Sequence, residues 1–299
     1  MKKYTEIAGD AGSGLVSQLR DQTFRLRRRM ATIRHTVAIL SGKGGVGKST
    51  LTCNLAAALA EAGACVAVLD ADLNGPALAK MLGVRGAPIR IGEEGVEPPE
   101  GPLGIKVLSM DHLLPREDTP LQWKAPTQEG NFIWRTSAEA AALREFLSDT
   151  VWGPLDYLLI DLPAGTDKLS VLASLLPQMA AAIAVTIPTE VSQRTVKKSI
   201  TLAAGLWGAS AVGVIENMAA YRCACCGHEE RLFEGPDSAA MARELGVSFL
   251  GRVPFDPRLA AASDRGVPYV HCDPGTSCAT ALRAVAHALR SFVKGRTGE

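Results

Sequence analysis

Gly42-Lys-Gly-Gly-Val-Gly-Lys48-Ser49 fits the pattern G-x-x-x-x-G-K-[ST]. Glycines at this spacing let successive backbone N–H groups turn inward around phosphate oxygens. A helix opening there adds its partial positive charge. In such a loop Lys48 reaches the β- and γ-phosphates and the Ser49 hydroxyl ligates Mg²⁺. At ordinary glycine usage a chance match arises in on the order of one chain in a hundred of this length. A strand before it and a helix after it make chance rarer still. The phosphate-binding candidates are therefore Gly42, Lys43, Gly44, Gly45, Val46, Gly47, Lys48, Ser49 and Thr50.

Two acidic positions stand where strands end, Asp70-Ala-Asp72 and Asp161. A carboxylate beside phosphates can hold Mg²⁺ through water or position the attacking water. Asp70 can equally support its own loop or cap the next turn. A third feature is Cys223-Ala-Cys225-Cys226, a C-x-x-C with an extra thiol inside it. Two cysteines three apart can place both sulfurs on one iron–sulfur cluster or one zinc ion. They can also be reduced structural thiols, or half of a zinc knuckle. A [4Fe–4S] cluster takes four thiolates, and Cys223 with Cys226 supplies two, so a symmetric dimer would supply the rest. Alternatively, Cys272 and Cys278 complete a zinc site within one chain.

The elements that must hold these residues are legible as short apolar runs alternating with helical patterns. Strands are predicted over 36–40, 65–69, 157–160, 181–187 and 211–215, and a helix over 48–62. Continuous apolar strands separated by helices indicate a mostly parallel, doubly wound α/β sheet covered on both faces, with its sites beyond the carboxyl ends of the strands. Residues 84–130, rich in proline and glycine, read as hairpin and loop insertions in one domain. A helix is expected over 279–293. A chain of 299 residues with 47% hydrophobic residues can build a large core without disulfides.

The balance of 32 Lys+Arg against 31 Asp+Glu argues against bulk attraction to nucleic acid or acidic membranes. Seven cysteines, an odd and clustered set, fit a reduced cytoplasmic setting. No signal peptide or membrane-spanning run is readable. Residues 1–34 read as an extension, helical or partly disordered, ahead of an ATPase domain over 35–299 with a metal-binding insertion near 219–231. The basic stretch Arg25-Leu-Arg-Arg-Arg29 reads first as a solvated helix face, second as a site for an anionic partner.

Lys43, early in the phosphate loop, resembles the signature lysine of the deviant Walker A ATPases, the MinD/ParA class of P-loop NTPases. That resemblance implies an ATP-sandwich homodimer in which Lys43 reaches the nucleotide bound by the partner. It implies that Asp72 orients the attacking water, that Asp161 contacts the Mg²⁺ shell, and that Asn217 contacts adenine. With Glu216-Asn217-Met218 and the C-x-x-C added, the chain resembles the Mrp-type (ApbC-like) iron–sulfur cluster carrier proteins from about Arg34 onward. Implied in turn are slow ATP hydrolysis with Lys43, Lys48 and Asp72 as the catalytic set, and a [4Fe–4S] cluster bridging a dimer on Cys223 and Cys226. Apo iron–sulfur proteins would be the recipients, with neither nucleic acid nor membrane as partner. The alternative is a MinD/ParA-like positioning or regulatory ATPase whose cysteines are unused or bind zinc. The chain departs from the family pattern at Ala164, at Asp167-Lys168 where Gly-Asp is usual, and at Trp123-Lys-Ala-Pro126. The changes at Ala164 and Asp167-Lys168 fall in the segment that follows Asp161.

Overall fold

The computed structural model describes residues 15–114, 116, 119, 121, 131–223 and 225–297. Helix α1 (Leu15–Met30) leads into strand β1 (Ile33–Ser41), helix α2 (Lys48–Glu61), β2 (Val66–Asp70) and the one-turn α3 (Leu78–Met81). A hairpin of β3 (Arg90–Gly92) and β4 (Gly95–Glu97) follows, then β5 (Lys106–Leu108) and α4 (Asn131–Asp149). Next come β6 (Leu155–Asp161), α5 (Asp167–Leu175), β7 (Ala181–Thr186), α6 (Glu190–Trp207) and β8 (Val212–Arg222). The chain closes with β9 (Glu229–Glu230), α7 (Ser238–Glu244), β10 (Ser248–Phe255), α8 (Arg258–Arg265), α9 (Tyr269–Cys272) and α10 (Ser277–Thr297).

Apolar side chains on both faces of each strand dictate a sheet sandwiched between helices. Along β1, Val37 and Ile39 enter one core with α2 and α10, while Ala38 and Leu40 enter the other with α4, α5 and α6. The sheet order is β10-β8-β7-β1-β6-β2-β5, with β9 pairing β8. Every pairing is parallel except β8 with β9. β1 thus lies between β6 and β7, and the loop leaving it opens where crossovers diverge to either side. That is where an open parallel sheet binds ligands. The fold is a mostly parallel, single-domain α/β NTPase architecture, as the strand pattern implies.

Three readings change. The stretch 84–130 is more than insertions: β5 extends the central sheet, pairing parallel with β2 through Ala67↔Lys106 and Leu69↔Leu108. A three-residue strand among prolines and glycines carries too little pattern to be seen in sequence. β10 was not anticipated either, because Gly251 and Pro254 interrupt it, and its pairing with β8 is irregular at both places. Finally, the basic stretch is only partly a solvated face. α1 packs on α4 with Leu26 buried; Arg25 bonds Asp149 at 3.1 Å and Arg29 reaches Glu94 at 3.8 Å. Residues 1–14 and the Trp123–Pro126 stretch lie outside the described residues. No helix among the described residues is long and apolar enough to cross a membrane.

Candidate functional site

The phosphate loop is built on two close approaches. A Cβ at Gly42 would sit 2.3 Å from the Val196 backbone nitrogen, so only glycine lets the end of β1 pass against α6. Gly47, the residue before α2, adopts φ 81°, and a Cβ there would meet Asn217 Nδ2 at 2.3 Å. Asn217 uses that nitrogen to donate to the Val46 carbonyl at 2.8 Å, bracing the loop from β8. Ser41 Oγ donates to the Lys43 carbonyl at 3.1 Å, and the Gly165 N–H donates to the Ser41 carbonyl at 2.9 Å. The loops after β1 and β6 are therefore laced together. Lys43 itself is half-buried and is paired with no carboxylate among the described residues.

Behind the loop, Asp161 is buried and three donors converge on it. Ser49 Oγ donates at 2.6 Å, Thr52 Oγ1 at 2.9 Å, and Lys48 Nζ approaches to 2.8 Å. The hydroxyl of Ser49 and the carboxylate of Asp161 form a hard oxygen set suited to Mg²⁺. Asp70 faces Asp161 in register across β2 and β6. Burial, reinforced by the charge of Asp161, pushes the Asp70 carboxyl up to about 7. Its Oδ2 accepts from the N–H groups of Ala77 at 2.8 Å and Leu78 at 3.0 Å, and from Ser109 Oγ at 3.2 Å. Asp70 is thus the support of its loop and the cap of α3. Asp72 lies closer to solvent; burial raises its pKa and Lys48 opposes the rise. It is the more accessible carboxylate of this pair.

A charged latch joins the two acidic loops. Buried Glu139 of α4 accepts from Asn74 Nδ2 at 2.9 Å, and its other oxygen is ion-paired with Lys168 of α5. Asn74 follows Asp72 by two residues, and Lys168 stands in the first turn after the Asp161 loop. The departure at Lys168 is thereby compensated: a buried carboxylate waits for the cation.

The cysteines sit on a hairpin that overhangs the sheet. Past Asn217, β8 bulges at Met218, whose φ of 54° is left-handed. It then pairs with β9 through Tyr221↔Glu230 and Arg222↔Glu229. The Cys223 N–H donates to the His228 carbonyl at 2.8 Å and the Gly227 N–H to the Cys223 carbonyl at 2.9 Å, closing the turn. Cys223 is half-buried, while Cys225 and Cys226 are exposed. Backbone N–H groups of Cys226 and Cys225 directed at the Cys223 sulfur lower its pKa. Among the described residues no group of three or more Cys, His, Asp or Glu side chains is placed to hold a metal ion. Cys278 is buried with its sulfur 3.5 Å from the Pro254 carbonyl. The single-chain zinc site with Cys272 and Cys278 is therefore not assembled.

The family model for ParA, the NUBPL iron-transfer P-loop NTPases, matches residues 32–290. The chain belongs to this family. A relative from Methanocaldococcus jannaschii named iron–sulfur cluster carrier protein is 46% identical over 257 residues, covering 85% of this chain and 84% of its own. One of the same name from Saccharolobus solfataricus is 41% identical over 263 residues, covering 87% and 85%. Among solved structures, a nucleotide-binding protein from Archaeoglobus fulgidus in complex with ADP is 34% identical. Its TM-score is 0.68, over 82% of this chain and 91% of that one.

Set in the iron-transfer NTPase fold, the phosphate loop, Asp70, Asp72, Asp161 and Asn217 converge at the carboxyl edge of the sheet, and the cysteines stand apart on the overhanging hairpin. Sequence reasoning missed Thr52 and Glu139. Thr52 had a signal: it lies four residues after Lys48 on the same helix face, next to the strand that ends in Asp161. Glu139 had none, being one of two glutamates in a helix with no motif around it.

Proposed function

We propose that this iron-transfer NTPase is an ATP-dependent carrier that holds a [4Fe–4S] cluster across a homodimer and passes it to apo-proteins. The observation that carries the reading is the hairpin: two cysteines at C-x-x-C spacing at its turn, Cys223 half-buried and Cys226 exposed, with the Cys223 backbone closing the turn. Cys223 and Cys226 from each of two subunits make the four thiolates such a cluster takes. Lys43, paired with no carboxylate among the described residues, supports the dimer, since a second phosphate-seeking cation in the loop can cross to a partner's nucleotide.

In the chemistry we propose, the loop N–H groups and Lys48 hold the β- and γ-phosphates, and Lys48 exchanges Asp161 for them. Ser49 and Asp161 would hold Mg²⁺, which would supply charge neutralisation at the phosphates. Asp72 orients water toward the γ-phosphorus. The water oxygen bonds to phosphorus as the bond to the β–γ bridging oxygen breaks. ADP leaves with that oxygen, and the water's protons pass to the departing phosphate and to solvent. Asn217 turns from its loop brace toward the adenine. Hydrolysis is slow because Asp72 sits on a loop tied through Asn74 and Glu139 to Lys168. Nucleotide shifts the dimer between arrangements that hold the cluster differently, which requires different nucleotide affinities in the two. The seven free thiols support a reducing, cytoplasmic setting.

Anaerobic reconstitution with iron and sulfide tests the assignment. The wild type should gain the visible charge-transfer band and a Cys223→Ala/Cys226→Ala protein should not. Equal iron uptake by both would refute the cluster site.

A further inference from the structure

A cavity of 480 Å³ beside the cysteine hairpin belongs to the site already described, but a second, of 790 Å³, lies at the opposite edge of the sheet. It opens between α1, the start of β1, the 174–180 segment and the end of α10. Its floor is apolar, with Leu26, Met30, Ile33, Leu176 and Met179. Arg27, Arg34, Arg144 and Arg296 line it, and among the described residues no aspartate or glutamate does. Arg296 is pinned by the Met179 and Ala180 carbonyls, and Arg34 by Asp156 at 3.5 Å. Arg27 and Arg144 pair with no carboxylate among the described residues. A smaller hollow adjoins it along α1, sharing Thr23 and Arg27 and adding Arg20, Leu19 and Phe24. Leu19 is 42% exposed and Phe24 69%.

Cations with free donors over an apolar floor define what fits: carboxylates for the guanidinium forks and apolar side chains for the floor. We propose that this groove docks an extended acidic segment of a partner protein, with apolar side chains interspersed among its carboxylates. Charge complementarity decides the occupant. A membrane suits the surface less, because the surface is concave and its apolar residues form the floor, with Leu26 buried. A single-stranded nucleic acid would want stacking platforms, and among the described residues no aromatic side chain lines the cavity. The groove is remote from both the nucleotide loop and the thiols, so the proposal stands whether or not the chain carries a cluster.

Fluorescence anisotropy on the full chain provides the test. The probes are a fluorescein-labelled octapeptide of alternating glutamate and leucine, and its lysine–leucine counterpart. Wild type should bind the acidic peptide, more weakly as salt rises. Arg27→Glu/Arg144→Glu should bind it roughly tenfold more weakly or worse, and Arg27→Ala/Arg144→Ala less so, with ATP binding intact in both. No binding by wild type, equal binding by the charge reversal, or preference for the lysine peptide would overturn the proposal. So would capture of phosphatidylglycerol vesicles or laurate in place of the acidic peptide.

Discussion

The nucleotide loop and the cysteine hairpin occupy the same end of the sheet and are built in opposite ways. Around the loop, buried groups hold one another: Asp161 takes three donors, Asn217 braces Val46, and Gly165 is tied to Ser41. The hairpin has a two-residue ladder, a turn closed by backbone hydrogen bonds, and thiols facing outward. A site that must fix a phosphate in one geometry gains from preorganisation. Under the proposed reading, a site that must give its cargo away gains from exposure, and the difference would separate catalysis from carriage within one chain.

That separation can be broken from either side. Cys223→Ser/Cys226→Ser should lose cluster uptake entirely, read by iron content after anaerobic reconstitution, while ATP affinity stays within about twofold; a joint loss would mean that the two sites fold as one. Conversely, Lys48→Ala should cut ATP hydrolysis by about 100-fold or more, yet leave cluster reconstitution intact. A smaller effect is expected at the latch. Lys168→Met removes the Lys168 ammonium from buried Glu139, and we expect a loss of about 2 kcal/mol in urea unfolding together with a several-fold change in kcat. An unchanged kcat would confine the latch to stability.

Titration sharpens the contrast further. Asp70 is held up to about 7 against an ordinary 3.8, so between those values the folded chain binds more protons than the unfolded one. Stability from this group is therefore lost as pH rises through that window and is level above it. Asp70→Asn should gain on wild type across the same window in urea melts; parallel curves would remove Asp70 from the account. The smallest effect is chemical. Cys223, its pKa lowered by neighbouring N–H groups, should be alkylated by iodoacetamide before Cys226, as read by peptide mass mapping. Buried Cys278, pushed up to about 12, should react only on unfolding.

What was legible in the sequence follows the same division. The phosphate loop, contiguous and bound by glycine geometry, was readable whole, and so were strands ending in Asp70 and Asp161, because apolar runs on buried parallel strands are unbroken. The C-x-x-C spacing was readable, but whether Cys272 and Cys278 joined it required knowing where α9 and α10 lie. β5 and Glu139 stayed hidden for a related reason. Each acquires its role from a partner tens of residues away, Lys106 against Ala67 and Glu139 against Asn74 and Lys168. The arginines of α1 divide likewise: a run of charge looks uniform in sequence, while its members face a carboxylate, a hairpin or a cavity according to helical phase.

The bulge at Met218 lies between Asn217, which touches the nucleotide loop, and Cys223, which carries a thiol. From Asn217 to Tyr221 β8 advances four residues while β10 advances two, Val253 to Phe255. A strand with spare length can slide at its free end without unzipping the neighbours that anchor it. The molecule therefore carries two unmatched residues of β8 at the joint between its phosphate loop and its cysteine turn, spare length placed where the proposed coupling would have to pass.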